Sequence, residues 1–215
     1  QRDRESIKDT GRVDSDFGYD KESIEPLMSA GDSCHDLAAD PSSAAKLDPA
    51  VRSTRHYVAL VGPPNAGKTT LFNRLTGLRQ KVANFPGVTV EYHVGKVRAT
   101  SGREVFLIDL PGIYSLHPRS EDEEVTRDVL TGAKPDLGLP DAVVLILDAT
   151  NLHRHLLLAA PILSLGLPTL VVLNMADDLA ARGGSVDPAA LAAQLGSPVA
   201  LISAASGEGV DKVLQ

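Results

Sequence analysis

The sequence has 215 residues, a net charge of −7, a single cysteine and no tryptophan. The single cysteine, Cys34, excludes an internal disulfide and favours a reducing compartment. The net negative charge argues against a broad nucleic-acid-binding surface, so no nucleic-acid partner is expected. Because 43% of the residues are apolar but only four are phenylalanine and four tyrosine, the core must be aliphatic, as in parallel α/β sheets.

Residues 1–53 differ in composition from the rest of the chain. They hold seven Lys and Arg against twelve Asp and Glu, a net charge of −5, and they show no sustained apolar periodicity. Such a segment cannot bury enough surface to fold alone, so we predict a disordered acidic N-terminal extension. A solvated tail is the simpler interpretation, and a partner-binding role is the alternative. The sequence begins with Gln1 instead of Met, and we expect it to be a piece of a longer protein.

Residues 54–215 are predicted to form one α/β domain, because short apolar runs alternate with helical stretches. Strands are predicted in YVALVG, VTVEYHVGKVRA, EVFLIDL, AVVLILDA, TLVVLN and PVALIS, and the second and third are close enough for an antiparallel hairpin. Helices are predicted over 68–76, 121–130, 152–165 and 188–195, with a truncated last helix near Gly209. This order predicts a doubly wound, mostly parallel sheet with one antiparallel edge strand, helices on both faces, and ligands at the carboxyl ends of the strands.

An uncharged apolar stretch over residues 156–175 is long enough to be mistaken for a membrane-spanning helix. Pro161, Gly166 and Pro168 divide it, and its end runs into a polar motif that must reach an aqueous ligand. We therefore predict a helix, a turn and a strand over this stretch.

The first strand is followed by a glycine-rich loop that fits a phosphate-binding motif. The segment GPPNAGKT matches the G-x-x-x-x-G-K-[ST] pattern between a strand and a helix, which indicates a P-loop NTPase. Backbone N–H groups of such a loop wrap a phosphate chain, Lys68 neutralises the β and γ phosphates, and Thr69 binds Mg²⁺. The nucleotide-binding residues predicted here are Gly62, Asn65, Ala66, Gly67, Lys68, Thr69 and Thr70.

The segment NMAD after the fifth predicted strand indicates that the base is guanine. The Asp177 carboxylate can accept hydrogen bonds from the guanine N1–H and exocyclic amine, while Asn174 faces the opposite edge of the base; adenine has no N1–H to donate. A site built for such hydrogen bonds can prefer the matching base over one that lacks the donors by a factor of roughly 10⁴. Backbone N–H groups after the next strand can approach the guanine O6. The base-binding residues predicted are Asn174, Met175, Asp177, Ser203, Ala204 and Ala205.

Two further loops are predicted to respond to the γ-phosphate. In DLPG, Asp109 would hold Mg²⁺ through water and the Gly112 N–H would contact the γ-phosphate. In NFPGVT, Thr89 would close over Mg²⁺ and the γ-phosphate, with Gly87 and Val88 beside the nucleotide. Loops that make these contacts only when GTP is bound act as switches.

Taken together, NFPGVTVEYHVGKV, DLPGIYSL, SEDEEVTRDVL and DATNLHRHLLLAAPILSLGLPTLVVLNMADD resemble successive blocks of the FeoB family of bacterial ferrous-iron transporters. The resemblance runs from Tyr57 to the end of the chain, about three quarters of it. It implies a GTPase domain on the cytoplasmic face of the inner membrane, followed in the whole protein by a small helical domain and a membrane region that carries Fe²⁺. It also implies small Feo proteins as partners.

The same resemblance implies a K⁺-activated GTPase. Asn65 matches the P-loop asparagine that helps to hold K⁺ beside the phosphates in this family, and the catalytic set becomes Asn65, Lys68, Thr89 and Gly112. Asn65 could instead only shape the turn. The chain departs from the family at Pro63, a position where asparagine is common in the family. It departs again at Pro161, which lies inside a helix that usually lacks proline, and we predict a kink in the helix there.

Two other functions remain open from the sequence. A free-standing ribosome-assembly GTPase has a similar PGVT loop but needs an RNA-binding surface, and the sequence shows no basic patch. A module that senses GTP with negligible turnover is the second alternative, because hydrolysis depends on loops that move.

Overall fold

The computed structural model describes residues 56–78, 80–84, 90–133 and 138–215. Its seven strands are β1 His56–Val61, β2 Gln80–Asn84, β3 Glu91–Arg98, β4 Glu104–Asp109, β5 Ala142–Asp148, β6 Thr169–Asn174 and β7 Val199–Leu201. Its α-helices are α1 Lys68–Thr76, α2 Glu121–Thr131, α3 Leu152–Leu163, α4 Ala176–Ala181 and α5 Pro188–Leu195, and two short 3-10 helices cover Ala149–Asn151 and Val210–Leu214. The predicted extension over 1–53 lies outside the described residues and stays a prediction.

The strands form one sheet in the order β2-β3-β4-β1-β5-β6-β7. From β4 to β7 all neighbours are parallel, and β3 pairs antiparallel with both β4 and β2. The predicted β3–β4 hairpin and the mostly parallel sheet are confirmed. Strand β2, which was not predicted, lies outside β3 at the sheet edge. Lys81 and Val82 of this strand are exposed, so it lacks the buried run on which strand prediction depends.

The central strands are buried on both faces, which explains their continuous apolar runs. Alternate residues of β5 enter two separate apolar clusters, with Leu145 in one and Ile146 in the other. Helices α2 and α3 cover the first face, and α1 covers the second through Leu71 and Phe72. Helices on both faces of the sheet are therefore confirmed.

Residues 156–175 fold as predicted into the end of a helix, a turn and a strand. Helix α3 continues through Pro161 to Leu163, Gly166 takes a left-handed conformation with φ of 73°, and β6 starts at Thr169. In the part of the chain that the structure describes, no helix is long and apolar enough to cross a bilayer.

Two local predictions differ from the structure in detail. The predicted last helix is a 3-10 helix over Val210–Leu214, and the six-residue α4 was not predicted. Helix α4 overlaps the NMAD motif and contains no buried residue, so it has no apolar periodicity that could have revealed it.

Candidate nucleotide-binding site

The glycine-rich loop connects β1 to α1 at the carboxyl end of the sheet, as predicted. A β-carbon on Gly62 would collide with the backbone oxygen of Ile146, and one on Gly67 would collide with the side-chain nitrogen of Asn174. Gly67 also has a φ of 91°, which favours glycine. Both motif glycines are therefore required sterically, before any phosphate contact is considered.

Asn65 lies at the outside of this loop. Its side chain is exposed and its backbone has a φ of 62°, a left-handed conformation that asparagine adopts more easily than most residues. The geometry accounts for asparagine in the turn and leaves its amide directed away from the core. Thr70, predicted as a nucleotide ligand, is exposed on the first turn of α1.

Lys68, Thr69 and Asp109 come together where β1 and β4 end. The Lys68 Nζ donates to the Pro63 carbonyl at 3.4 Å, and the Thr69 hydroxyl donates to Asp109 Oδ2 at 3.4 Å. Burial lowers the pKa of Lys68, an effect that the charge of Asp109 opposes. Burial likewise raises the pKa of Asp109, against the charge of Lys68 and the Thr69 hydrogen bond. Asp109 is buried and Lys68 is partly buried, and each of these charged groups stabilises the other.

The second oxygen of Asp109 provides a test of the predicted Mg²⁺ site. Asp109 Oδ1 is buried and has no hydrogen-bond partner among the described residues. A cavity of about 480 Å³ lies beside it, lined also by Lys68, Thr69 and Gly112. Carboxylate and hydroxyl oxygens next to a phosphate-sized space are the ligands that Mg²⁺ uses in nucleotide sites, so the residues present fit the ion.

The DLPG loop packs directly on the glycine-rich loop. The Ile113 N–H donates to the Gly62 carbonyl at 3.1 Å, and a β-carbon on Gly112 would stand 3.0 Å from Lys68 Nζ. The buried hydroxyl of Thr126 on α2 donates to the Pro111 carbonyl at 3.0 Å. Thr126 was not predicted, because no local sequence pattern marks a helix threonine that bonds to a loop 15 residues earlier.

Asn174 connects the glycine-rich loop to the loop after β7. Its Nδ2 donates to the Ala66 carbonyl at 2.9 Å, and its Oδ1 accepts from the Ala204 N–H at 2.8 Å, while only 4% of the residue is exposed. Both ends of the amide hold two loops together, and the predicted contact of Asn174 with the base stays a prediction.

The remaining base-binding candidates surround Asn174. Met175 has a φ of 66° and precedes α4, whose first turn carries the exposed Asp177. The Ser203 N–H donates to the Glu208 carbonyl at 3.0 Å, so it is not directed at a ligand in this structure. Ala205 is the member of the 203–205 group whose N–H makes no hydrogen bond within the described residues. Gly87, Val88 and Thr89 lie outside the described residues and stay predictions.

A larger cavity of about 760 Å³ lies at the opposite end of the sheet, where β1, β5 and β6 begin. Its lining is largely apolar, with Val58, Leu170 and Leu214 among it, and it offers no side chain that could neutralise phosphate. The smaller, polar cavity beside Lys68 and Asp109 is therefore the candidate phosphate site.

Comparisons with known proteins identify the family of the chain. The family described as ferrous iron transport protein B matches residues 56–215. The Fe(2+) transporter FeoB of Leptospira biflexa is 44% identical over 156 residues, which is 73% of this chain and 22% of that protein. The chain belongs to the FeoB family.

Solved structures of FeoB domains have the same fold. A GDP form of the cytosolic domain of the T. maritima FeoB iron transporter is 40% identical, with a TM-score of 0.68, and the match covers 74% of this chain and 60% of that one. A GDP-bound mutant of S. thermophilus NFeoB is 41% identical, with a TM-score of 0.67 and coverage of 74% and 58%. This FeoB-family chain therefore spans about a fifth of its curated relative and little more than half of these solved domains. The family membership does not favour a ribosome-assembly GTPase.

Asn174→Ala is expected to lower the free energy of unfolding of this FeoB-family chain by about 2 to 4 kcal/mol, because the Ala66 carbonyl and the Ala204 N–H would both be left buried and unpaired. Chemical denaturation measures the loss. The matched control is Ser164→Ala, an exposed serine that donates to the Ala160 carbonyl at 2.8 Å and whose removal should cost less than about 1 kcal/mol. Equal losses in the two variants would contradict the bridging role.

Proposed function

We propose that this chain binds GTP and GDP and hydrolyses GTP as the switch domain of a ferrous-iron transporter. The observation that carries the proposal is the group formed by Lys68, Thr69 and Asp109, which lines the 480 Å³ cavity and in which one buried Asp109 oxygen has no hydrogen-bond partner among the described residues. The chain's place in the FeoB family and its likeness to GDP-bound FeoB domains support it.

The phosphate chain would be held by the loop and by Lys68. Backbone N–H groups of Asn65, Ala66 and Gly67 and the amino end of α1 would provide positive potential for the phosphates, whereas Pro63 and Pro64 have no N–H to donate. Lys68 adds a full charge. Thr69 and Asp109 would hold Mg²⁺, with Thr89 as a further ligand from the first switch loop, and the ion would neutralise phosphate charge. Gly112 would donate its N–H to the γ-phosphate.

Hydrolysis needs a group that positions the attacking water, and Ile113 cannot do so. In Ras-like enzymes a glutamine has this role, whereas Ile113 has no hydrogen-bonding side chain and is fully buried. Backbone groups of the first switch loop, near Thr89, would position the water instead. Asn65 is exposed beside the phosphate site and would help to hold K⁺, which supplies further positive charge where negative charge develops.

The base would be recognised from two sides. Asp177, exposed on the first turn of α4, would accept from the guanine N1–H and amine, with Met175 beside it. The loop after β7 would donate to O6, and the bridging position of Asn174 makes Ala205 the leading N–H donor. Met175 and Asn174 would thus mainly shape the pocket.

The transporter context comes from the relatives, which are named Fe(2+) transporters. We propose that residues 54–215 form the GTPase domain, at the cytoplasmic face of the bacterial inner membrane, and that a membrane region of the whole protein carries Fe²⁺ under its control. Small Feo proteins are proposed partners, and residues 1–53 are proposed to be a disordered acidic extension. The alternative is a module that senses GTP with negligible turnover, and measurements of GTP hydrolysis would distinguish it from a GTPase.

The switch proposal predicts that residues 80–90 and 110–120 gain protection from hydrogen exchange when a non-hydrolysable GTP analogue replaces GDP. Thr89 and Gly112 gain partners only when the γ-phosphate is present. Strand β5, buried in the centre of the sheet, is the internal control and should exchange equally slowly in both states. Identical protection of both loops in the two states would refute the switch.

A further inference from the structure

Arg74 makes contacts that the proposed chemistry does not use. It lies in the last turn of α1 and is exposed, yet its Nε donates to the Ala204 carbonyl at 2.7 Å and its Nη2 donates to the Ala205 carbonyl at 2.6 Å. The planar guanidinium thus bridges two successive backbone carbonyls, a geometry that lysine cannot reproduce.

The glycine at position 207 makes room for this guanidinium. Gly207 has a φ of 95°, and a β-carbon there would stand 2.6 Å from Arg74 Nη1. The Gly207 N–H donates to the Ser203 carbonyl at 2.8 Å and closes the turn around the two carbonyls that Arg74 binds. The turn and the arginine therefore fit each other closely.

The first of these contacts sets the direction of one N–H group. The Ala204 carbonyl and the Ala205 N–H belong to the same planar peptide unit, and in a trans peptide they point in opposite directions. By holding the carbonyl on the α1 side, Arg74 turns the Ala205 N–H away from α1. A hydrogen bond accepted by the carbonyl also polarises the peptide and makes its N–H a stronger donor.

The contacts of Arg74 add a second connection between the glycine-rich loop with its helix α1 and the loop after β7. Asn174 joins the Ala66 carbonyl to the Ala204 N–H, and Arg74 joins the next two carbonyls to α1, the helix that begins at Lys68. The loop after β7 is therefore held at both sides by elements that also form the phosphate site.

We propose that Arg74 is a positioning residue that fixes how the loop after β7 recognises the 6-oxo group of guanine. The inference rests on the proposed function, because it requires guanine in the site. Arg74 acts on the base edge that carries O6, whereas Asp177 reads the edge that carries N1–H and the amine. Removing Arg74 should weaken recognition at O6 and leave recognition of the amine unchanged.

The test measures the affinities of the full chain for three diphosphates. GDP carries both groups, 6-thio-GDP replaces O6 by a sulfur that accepts hydrogen bonds weakly, and IDP lacks the amine. The parent should prefer GDP over both analogues. In Arg74→Ala the preference for GDP over 6-thio-GDP should fall about tenfold, the effect of losing one well-formed hydrogen bond, while the preference for GDP over IDP stays within about twofold.

Two further variants separate geometry from charge and from general effects. Arg74→Lys keeps the charge but reaches one carbonyl at most, so it should recover only part of the lost preference. The matched control is Arg98→Ala, which removes another exposed arginine whose ion-pair partner, Glu104, is itself exposed, and which should behave as the parent.

Specific outcomes would overturn the inference without touching the proposed function. If the parent binds GDP well above ADP but Arg74→Ala keeps its full preference over 6-thio-GDP, Arg74 does not set recognition at O6. An equal fall in the preferences over 6-thio-GDP and over IDP would show that Arg74 only stabilises the pocket in general. If the parent binds ADP and GDP with equal affinity, the result contradicts the proposed function itself.

Discussion

Asp177→Asn is expected to convert a site that prefers guanine into one that prefers xanthine nucleotides. The carboxylate accepts from the guanine amine, whereas the amide of asparagine can donate to the 2-oxo group that xanthine carries at the same position. We expect the ratio of GDP to XDP affinity to fall by about 10³ or more, because sites built on such hydrogen bonds discriminate by roughly 10⁴. Since Asp177 is exposed on α4, the substitution should leave the free energy of unfolding almost unchanged.

Competition binding with GDP, XDP and ADP measures this conversion. Asp178→Asn is the matched control, because Asp178 is the next carboxylate on the same turn of α4 and is also exposed. It should keep the preference of the parent. A similar shift in both variants would show that the negative charge of the turn, and not a directed contact of Asp177, had been removed.

Hydrolysis of GTP is expected to be at least about tenfold faster in K⁺ than in Na⁺, and replacement of Asn65 should abolish this difference. The expected cause is the loss of an amide oxygen that helps to hold the cation beside the phosphates. Asn65→Gly is a sharper variant than Asn65→Ala, because the φ of 62° strains alanine by about 1 kcal/mol and does not strain glycine. GDP affinity should change little in either variant.

Single-turnover hydrolysis in matched K⁺ and Na⁺ buffers measures the effect. Ile113→Val is the control and should keep both the rate and the K⁺ response. Ile113→Ala is unsuitable, because Ile113 is fully buried and its truncation would cost about 2 to 5 kcal/mol of stability. Equal parent rates in the two salts, or an Asn65→Gly protein that retains its K⁺ response, would show that Asn65 only shapes the turn.

The parts of the molecule that could be predicted from sequence are those whose signal is local. The buried runs of β1, β5 and β6 identify their strands, and the spacing of glycines in GPPNAGKT identifies the loop between β1 and α1. In both cases neighbouring residues carry the whole pattern. The family resemblance, confirmed by the match over residues 56–215, rests on the same local blocks.

The parts that could not be predicted depend on contacts between distant residues. Asn174 bonds to Ala66 108 residues earlier, and Arg74 bonds to Ala204 130 residues later. No spacing within one segment reveals such a pair, so the bridging role of Asn174 and the role of Arg74 could be read only from the folded chain. Strand β2 was not predicted for a different reason: its exposed Lys81 and Val82 interrupt the apolar run that is typical of a buried strand.

The central claim is that the polar cavity at the carboxyl end of the sheet is a guanine-nucleotide site. The most direct measurement is the affinity of the parent chain for GTP, GDP, ATP and ADP in the presence of Mg²⁺. We predict that GTP and GDP bind at least about 10³-fold more tightly than ATP and ADP, because Asp177 finds no N1–H on adenine. Equal affinities for GTP and ATP would contradict the account.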